Sequence, residues 1–373
     1  MNKFLFVTLL AALIACNRQE APRKSNLMYY HDPSTGKEKR VKTMADWDVK
    51  RAEMQDSLEA ILGPLPSLEN LPPLNVQYRD SLKTEYYTRY TLWFTAAENE
   101  KVPAYLYIPV GAETGKKFPA MLVCQETQEL GKVSVDGGGK PDRAYAKELA
   151  QRGFVVIAAD YPSFGELKDY DFKNDRYLSG TMVGIFYHRR CIDVIEQLPC
   201  TDMEHVGVIG LSLGGHNSMY VSAFEPRIRA IVSVSGWCEH EYFDVGPAPD
   251  TEEFRGGGRL WGDAQERYYP LLRDKYHFDD SKIPYQWHEV IALLAPRPFL
   301  SVSPINDDNF NVEGVRVGID RAMETYRFLH AENSLQAMYP EEGHVVSAKV
   351  RVAAYDWIDS VFQHTSPVIT EYY

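Results

Sequence analysis

The residue whose type and setting best suit chemistry is Ser212, in Gly210-Leu211-Ser212-Leu213-Gly214-Gly215, directly after the apolar run VGVI. Small residues on both sides predict a tight strand-to-helix turn, because a bulkier side chain two positions away would collide there. Such a turn lifts the hydroxyl into the open at a helix N-terminus and aims the Leu213 N–H at any oxyanion formed beside it. A serine hydroxyl is nearly inert at neutral pH, so it needs a base within hydrogen-bond reach and an acid to orient that base. His344, closing Tyr339-Pro340-Glu341-Glu342-Gly343-His344, places an imidazole in the loop after the last short strand. The acid is expected from Pro304-Ile305-Asn306-Asp307-Asp308-Asn309-Phe310. Adjacent loop side chains point apart, so one of the two Asp residues should serve, with Asp307 preferred to Asp308. Glu239, after IRAIVSVSG, is a further rival. The competing readings are a glycine-rich turn with a chance serine, a surface histidine, and a calcium loop. The last lacks regular ligand spacing and a terminal Glu.

The elements that must position these residues follow from periodicity. FPAMLVCQ is a nearly continuous apolar run, as a strand covered on both faces must be. After it come a helix around 144–152, the run FVVIAADYP, a helix near 182–198, VGVIGLS, another helix, IRAIVSVSG, RPFLSVS and LQAMYP. This alternation predicts an α/β fold with a doubly wound, mostly parallel sheet and helices on both faces, its chemistry gathered at the carboxyl ends of the strands. Upstream, TEYYTRYTLWFTAA and VPAYLYIPV read as an antiparallel hairpin. Trp47, Met54, Leu58, Ile61 and Leu62 recur at helical spacing up to the breakers Gly63-Pro64.

Residues 1–16, MNKFLFVTLLAALIAC, join one Lys to an apolar run shorter than the roughly 20 residues needed to span a bilayer, which is a secretory signal. Its end, Leu13-Ile14-Ala15-Cys16, resembles a bacterial lipobox. The expected organisation is a lipoprotein signal over 1–16, a tether and helical extension over 17–85, and a catalytic domain over 86–373. The mature chain would begin at an acylated Cys16, held by lipid alone on the periplasmic or cell-surface face of a membrane. The net charge of −12 argues against a nucleic-acid partner. Cys124, Cys191, Cys200 and Cys238 lack metal-ligand spacing, so no metal is expected. They read as buried thiols, a Cys191–Cys200 bridge being the alternative that export permits.

Together PAMLVCQETQELGK, GFVVIAADYPSFGE, GLSLGGHNS, WHEVIALLAPRPFLSVSPINDDNF and YPEEGH make the chain, from about Val102 to Val361, resemble the α/β-hydrolase superfamily. The resemblance is to enzymes of the dienelactone-hydrolase and acetylxylan-esterase kind, related to prolyl oligopeptidases. It implies Ser212, Asp307 and His344 as a triad, the Asn-Phe after the acidic pair favouring Asp307. It also implies a second oxyanion donor from the loop after FPAMLVC, where many relatives carry His-Gly and this chain has Gln125-Glu126-Thr127. The backbone N–H of Glu126 or Thr127 can serve, provided the Glu126 carboxylate, which would oppose an oxyanion, points away. The implied activity is serine-dependent hydrolysis of a carboxylic ester without cofactor, on acetyl or methyl esters of a small molecule or oligosaccharide. A prolyl-oligopeptidase-like peptidase is the alternative enzyme, although residues 17–100 are too few for the usual propeller. A non-catalytic surface binding lipoprotein would need a broken triad. His216 reads as a packed histidine, and Trp287-His288-Glu289 as packing beneath the acid loop.

Overall fold

A computed structural model describes residues 26–367. The signal segment and Cys16 lie outside the described residues. The chain begins with a small hairpin, Tyr29–His31 (β1) with Glu38–Arg40 (β2), and continues into the helix Met44–Leu62 (α1). Thr43 caps α1 in a reciprocal box with Asp46, an arrangement worth about 1 kcal/mol. The predicted stripe of α1 is buried, and Trp47 packs 6.3 Å from the Phe328 ring. The segment read as a tether therefore carries a hairpin, and its helix is part of the main core.

The strands Gln77–Lys83 (β3), Tyr87–Ala97 (β4) and Glu100–Pro109 (β5) form an antiparallel meander. The β4–β5 hairpin follows the expected pairing. β3 is an added finding: the sheet starts before residue 86, so the boundary expected there separates β3 from its partner β4. Every residue of β3 is exposed, which leaves no apolar alternation to read. Phe118–Cys124 (β6) leads to the helix Tyr145–Gln151 (α2), then Val155–Ala159 (β7), Gly180–Glu196 (α3) and Thr201–Leu211 (β8). Leu213–Phe224 (α4) and Ala230–Val234 (β9) follow. A long irregular excursion holds the short helix Leu271–Asp274 (α5) before Trp287–Leu294 (α6) and Phe299–Val302 (β10). Val312–Phe328 (α7), Leu335–Met338 (β11) and Ala348–Phe362 (α8) complete the chain.

The main sheet has nine strands in the order β11-β10-β9-β8-β6-β7-β5-β4-β3. From β11 to β7 all neighbours are parallel. Separate apolar clusters contain alternate residues of its central strands, such as Leu122 and Val123, so both faces are covered. Each fully buried Val, Leu or Ile contributes about 1.5–3 kcal/mol, which makes this sheet a stiff base for the loops at its carboxyl ends. The four described cysteines are free and buried, so the Cys191–Cys200 bridge does not form. No helix among the described residues is long and apolar enough to cross a membrane.

Candidate active site

Ser212 lies between β8 and α4 with φ 56 and ψ −118, a conformation that non-glycine residues rarely adopt. Its flanking glycines explain how the turn closes. A Cβ on Gly210 would lie 2.4 Å from the Gly214 backbone, and one on Gly214 would lie 2.2 Å from the Cys124 carbonyl oxygen. The turn is pinned by the Ser212 N–H donating to Val234 O (2.9 Å) and the His216 N–H to Ser212 O (3.0 Å). Ser212 is partly exposed while both neighbours are buried, and the Leu213 N–H opens α4 with no acceptor inside the helix.

His344 and Asp307 are brought together by loops that prolong the β10–β11 pairing. Ser303 N–H donates to Met338 O (2.9 Å), Ile305 N–H to Pro340 O (2.9 Å) and Asn306 N–H to Glu342 O (3.0 Å). The next residues in each loop then meet: His344 Nδ1 lies 3.0 and 3.2 Å from the Asp307 carboxylate oxygens. The same carboxylate accepts the N–H groups of Asn309 (2.8 Å) and Phe310 (3.1 Å), which fixes its direction. Asp308 is exposed and has no hydrogen-bond partner among the described residues. Glu239 is fully buried and turned to another histidine, accepting from the His288 N–H (3.1 Å) and meeting His288 Nδ1 at 2.8 Å.

A row of rings links the imidazole to the serine helix. Phe310 stacks on His344 at 5.9 Å and meets His216, one turn along α4 from Ser212, edge-on at 5.3 Å. His216 lies flat on Trp287 at 5.1 Å, so the packed-histidine reading holds for it. Burial, then the nearby His344, pushes the His216 pKa down to about 3, which keeps this ring neutral. Trp287 lies against His216 and His240, while His288 serves Glu239.

At the end of β6 the Glu126 carboxylate is turned to Arg143, whose Nε lies 2.8 and 2.9 Å from its two oxygens. Glu126 thus braces its loop, and its charge is answered. Thr127 Oγ1 meets the Tyr268 hydroxyl at 2.8 Å, which ties that loop to the excursion after β9. Sequence reasoning missed this excursion, which carries residues 263–269 to the site and has no regular periodicity to reveal it. It also missed the anchoring of α8, where buried Arg351 meets Glu148 at 2.7 Å and donates to Val346 O (3.1 Å) two residues past His344.

The strand order, the sharp turn at Ser212 and the joined loops after β10 and β11 are the arrangement that the motifs implied. The comparisons with known proteins agree on the fold. Residues 170–330 match the family described as glucuronyl esterase, fungi, and residues 72–245 the family described as esterase FrsA-like. A glucuronoyl esterase from Solibacter usitatus superposes with a TM-score of 0.68 at 16% identity, covering 90% of this chain and 97% of that one. The chain has the α/β-hydrolase fold. Among curated relatives, YtaP of Bacillus subtilis is 24% identical over 81% of this chain and 96% of its own length. The carbohydrate esterase MZ0003, from an unknown prokaryotic organism, is 24% identical over 64% of this chain and 55% of its own.

Proposed function

We propose that this chain is a serine carboxylic-ester hydrolase that removes acetyl or methyl esters from carbohydrate through an acyl-enzyme. The observation that carries the reading is the strained, partly exposed Ser212 at the head of α4, at the same sheet end as an imidazole already paired with a buried carboxylate. Names of similar proteins that include glucuronoyl and carbohydrate esterases support the substrate class.

In this reaction Ser212 Oγ attacks the ester carbonyl carbon while its proton passes to His344 Nε2. Asp307, accepting from Nδ1–H, holds the ring in that tautomer and balances the imidazolium. The tetrahedral oxyanion takes the Leu213 N–H and a backbone N–H from Glu126 or Thr127. The carbon–oxygen bond to the alcohol breaks, and the alcohol leaves with the proton from His344. Water then attacks the acyl-enzyme, giving its proton to His344, and Ser212 is released with the free acid. The N-terminal signal and lipobox add an exported location, with Cys16 acylated and the enzyme tethered where polymeric substrate arrives.

Replacing Ser212 with Ala is expected to lower p-nitrophenol release from p-nitrophenyl acetate by about a thousandfold or more, with an unchanged thermal melt. A Ser212→Ala protein that keeps its turnover removes the assignment.

A further inference from the structure

Residues 266–268 of the excursion run past the first turn of α3 and are fixed there on both sides of Arg267. Gly180 N–H donates to Glu266 O (3.0 Å) and Thr181 N–H to Tyr268 O (3.0 Å). The Tyr161 hydroxyl donates to the Arg267 carbonyl (2.5 Å), and a Cβ on Gly180 would lie 2.4 Å from that same oxygen. The backbone of Arg267 is therefore set independently of what its side chain meets. Its guanidinium lies over the Phe164 ring, 5.0 Å from the centroid. Phe164 packs with Tyr161 and Leu213, the residue after Ser212, and Tyr268 closes the cluster. Tyr268 reaches Thr127, so Arg267 stands on a wall built from the serine turn, the β7 loop and the candidate oxyanion loop.

The charge of Arg267 is unanswered. Among the described residues its guanidinium has no carboxylate partner and no hydrogen bond, and the side chain is only half-buried. Arg273, six positions along, shows the contrast: it meets Glu253 (2.6 Å), Glu266 (2.9 Å) and Asp274 (2.6 Å) beside an open cavity of about 690 Å³. A chain of net charge −12 has carboxylates to spare, yet none is placed here. A guanidinium stacked on a ring keeps its N–H edge for bidentate binding of a carboxylate.

Resting on the esterase reading above, we infer that Arg267 is a specificity-determining residue that binds a carboxylate on the sugar next to the esterified one. The substrate class is then an acidic oligosaccharide ester. The test compares the full mature chain and Arg267→Gln on three probes. These are p-nitrophenyl acetate, a trigalacturonate methyl-esterified on its middle residue, and the same trimer with its outer carboxylates reduced to alcohols. Wild type is expected to favour the acidic trimer, a preference that shrinks as salt rises. Arg267→Gln is expected to lose about tenfold in kcat/KM on that trimer alone, through KM, and Arg267→Lys to recover part of it. The carbonyl contact to Tyr161 survives both substitutions, so the melting temperature should hold. Equal losses on all three probes would assign Arg267 a structural role and overturn the inference. So would wild type that releases p-nitrophenol but treats the two trimers alike or cleaves neither, an outcome that leaves the esterase reading intact. Wild type inert towards every probe would remove that reading itself.

Discussion

Among the histidine–carboxylate pairs of the described residues, two have a carboxylate that is closed off from solvent, and only one of these two leaves its imidazole open to a reactant. His344 Nδ1 lies 3.0 Å from Asp307 and His288 Nδ1 lies 2.8 Å from Glu239. In the first, the imidazole is 24% exposed and its carboxylate 1%; in the second the figures are 2% and 0%. Glu239 is further held by the His288 backbone N–H, by Arg321 at 3.6 Å, and by Gly318, where a Cβ would come within 2.8 Å of it. A base must offer one ring nitrogen to a reactant while the other is oriented, and the His288 ring is closed in. The pair alone decides little. What differs is that Asp307 and His344 sit on loops beyond the strand ends, whereas Glu239 and His288 sit under α7.

The sharpest break of that comparison is to remove each carboxylate's charge in turn. Asp307→Asn keeps the shape and inverts the hydrogen-bond preference at Nδ1, so kcat on p-nitrophenyl acetate should fall by about 10³–10⁴-fold with little change in KM. Glu239→Ala should act on the other side of the ledger. It leaves His288 and Arg321 facing a buried void and is expected to lower unfolding stability in urea by about 3–5 kcal/mol, while the molecules that stay folded turn over within a few-fold of wild type. A stable Glu239→Ala protein with lost turnover would reverse the roles of the two pairs.

How much of this was legible depends on how local the signal is. The serine turn was readable because its glycines answer to backbone contacts a few residues away, and β6, β7, β8 and β9 because strands covered on both faces must be apolar throughout. Asp307 could be preferred to Asp308, but their separation depends on a register carried from β10 and β11 into the loops, which neighbouring letters do not encode. Glu239 kept its place as a rival because its partner, His288, is 49 residues away. The edge strand β3 carries no buried face, and residues 263–269 reach the site by irregular turns, so neither has a period to detect.

A smaller effect separates the surroundings of the two pairs by pH. Burial pushes Asp263, whose carboxylate accepts from the Tyr269 hydroxyl, up to about 7 from an ordinary 3.8. The folded chain then holds a proton that the unfolded chain gives up above 3.8. This group's stabilisation is thus complete below about pH 4 and is lost as pH rises towards 7, by at most about 1.4 kcal/mol per pH unit. His216 works in the opposite direction: held near 3 against an ordinary 6.5, it withdraws stability as pH falls below 6.5. Because Asn mimics the protonated carboxyl, denaturant melts of wild type and Asp263→Asn should nearly coincide near pH 4 and separate as pH rises to 7.5, wild type becoming the less stable. Parallel curves across that range would mean that Asp263 is ionised in the folded chain.

The smallest effect is expected one residue from the largest. Asp308 is exposed and without a partner among the described residues, so Asp308→Asn should stay within about twofold of wild type in both kcat and KM, as surface substitutions away from a network do. The value of measuring so small a change lies in the loop's freedom. Asp307 is directed by the N–H groups of Asn309 and Phe310, and a loop that turned over during catalysis would break both bonds to present Asp308 instead. Losses of similar size from the two Asn variants would mean that the carboxylate behind His344 at rest is not the only one behind it in turnover. A large loss from Asp307→Asn alone ties the acid to the register that β10 and β11 pass into their loops.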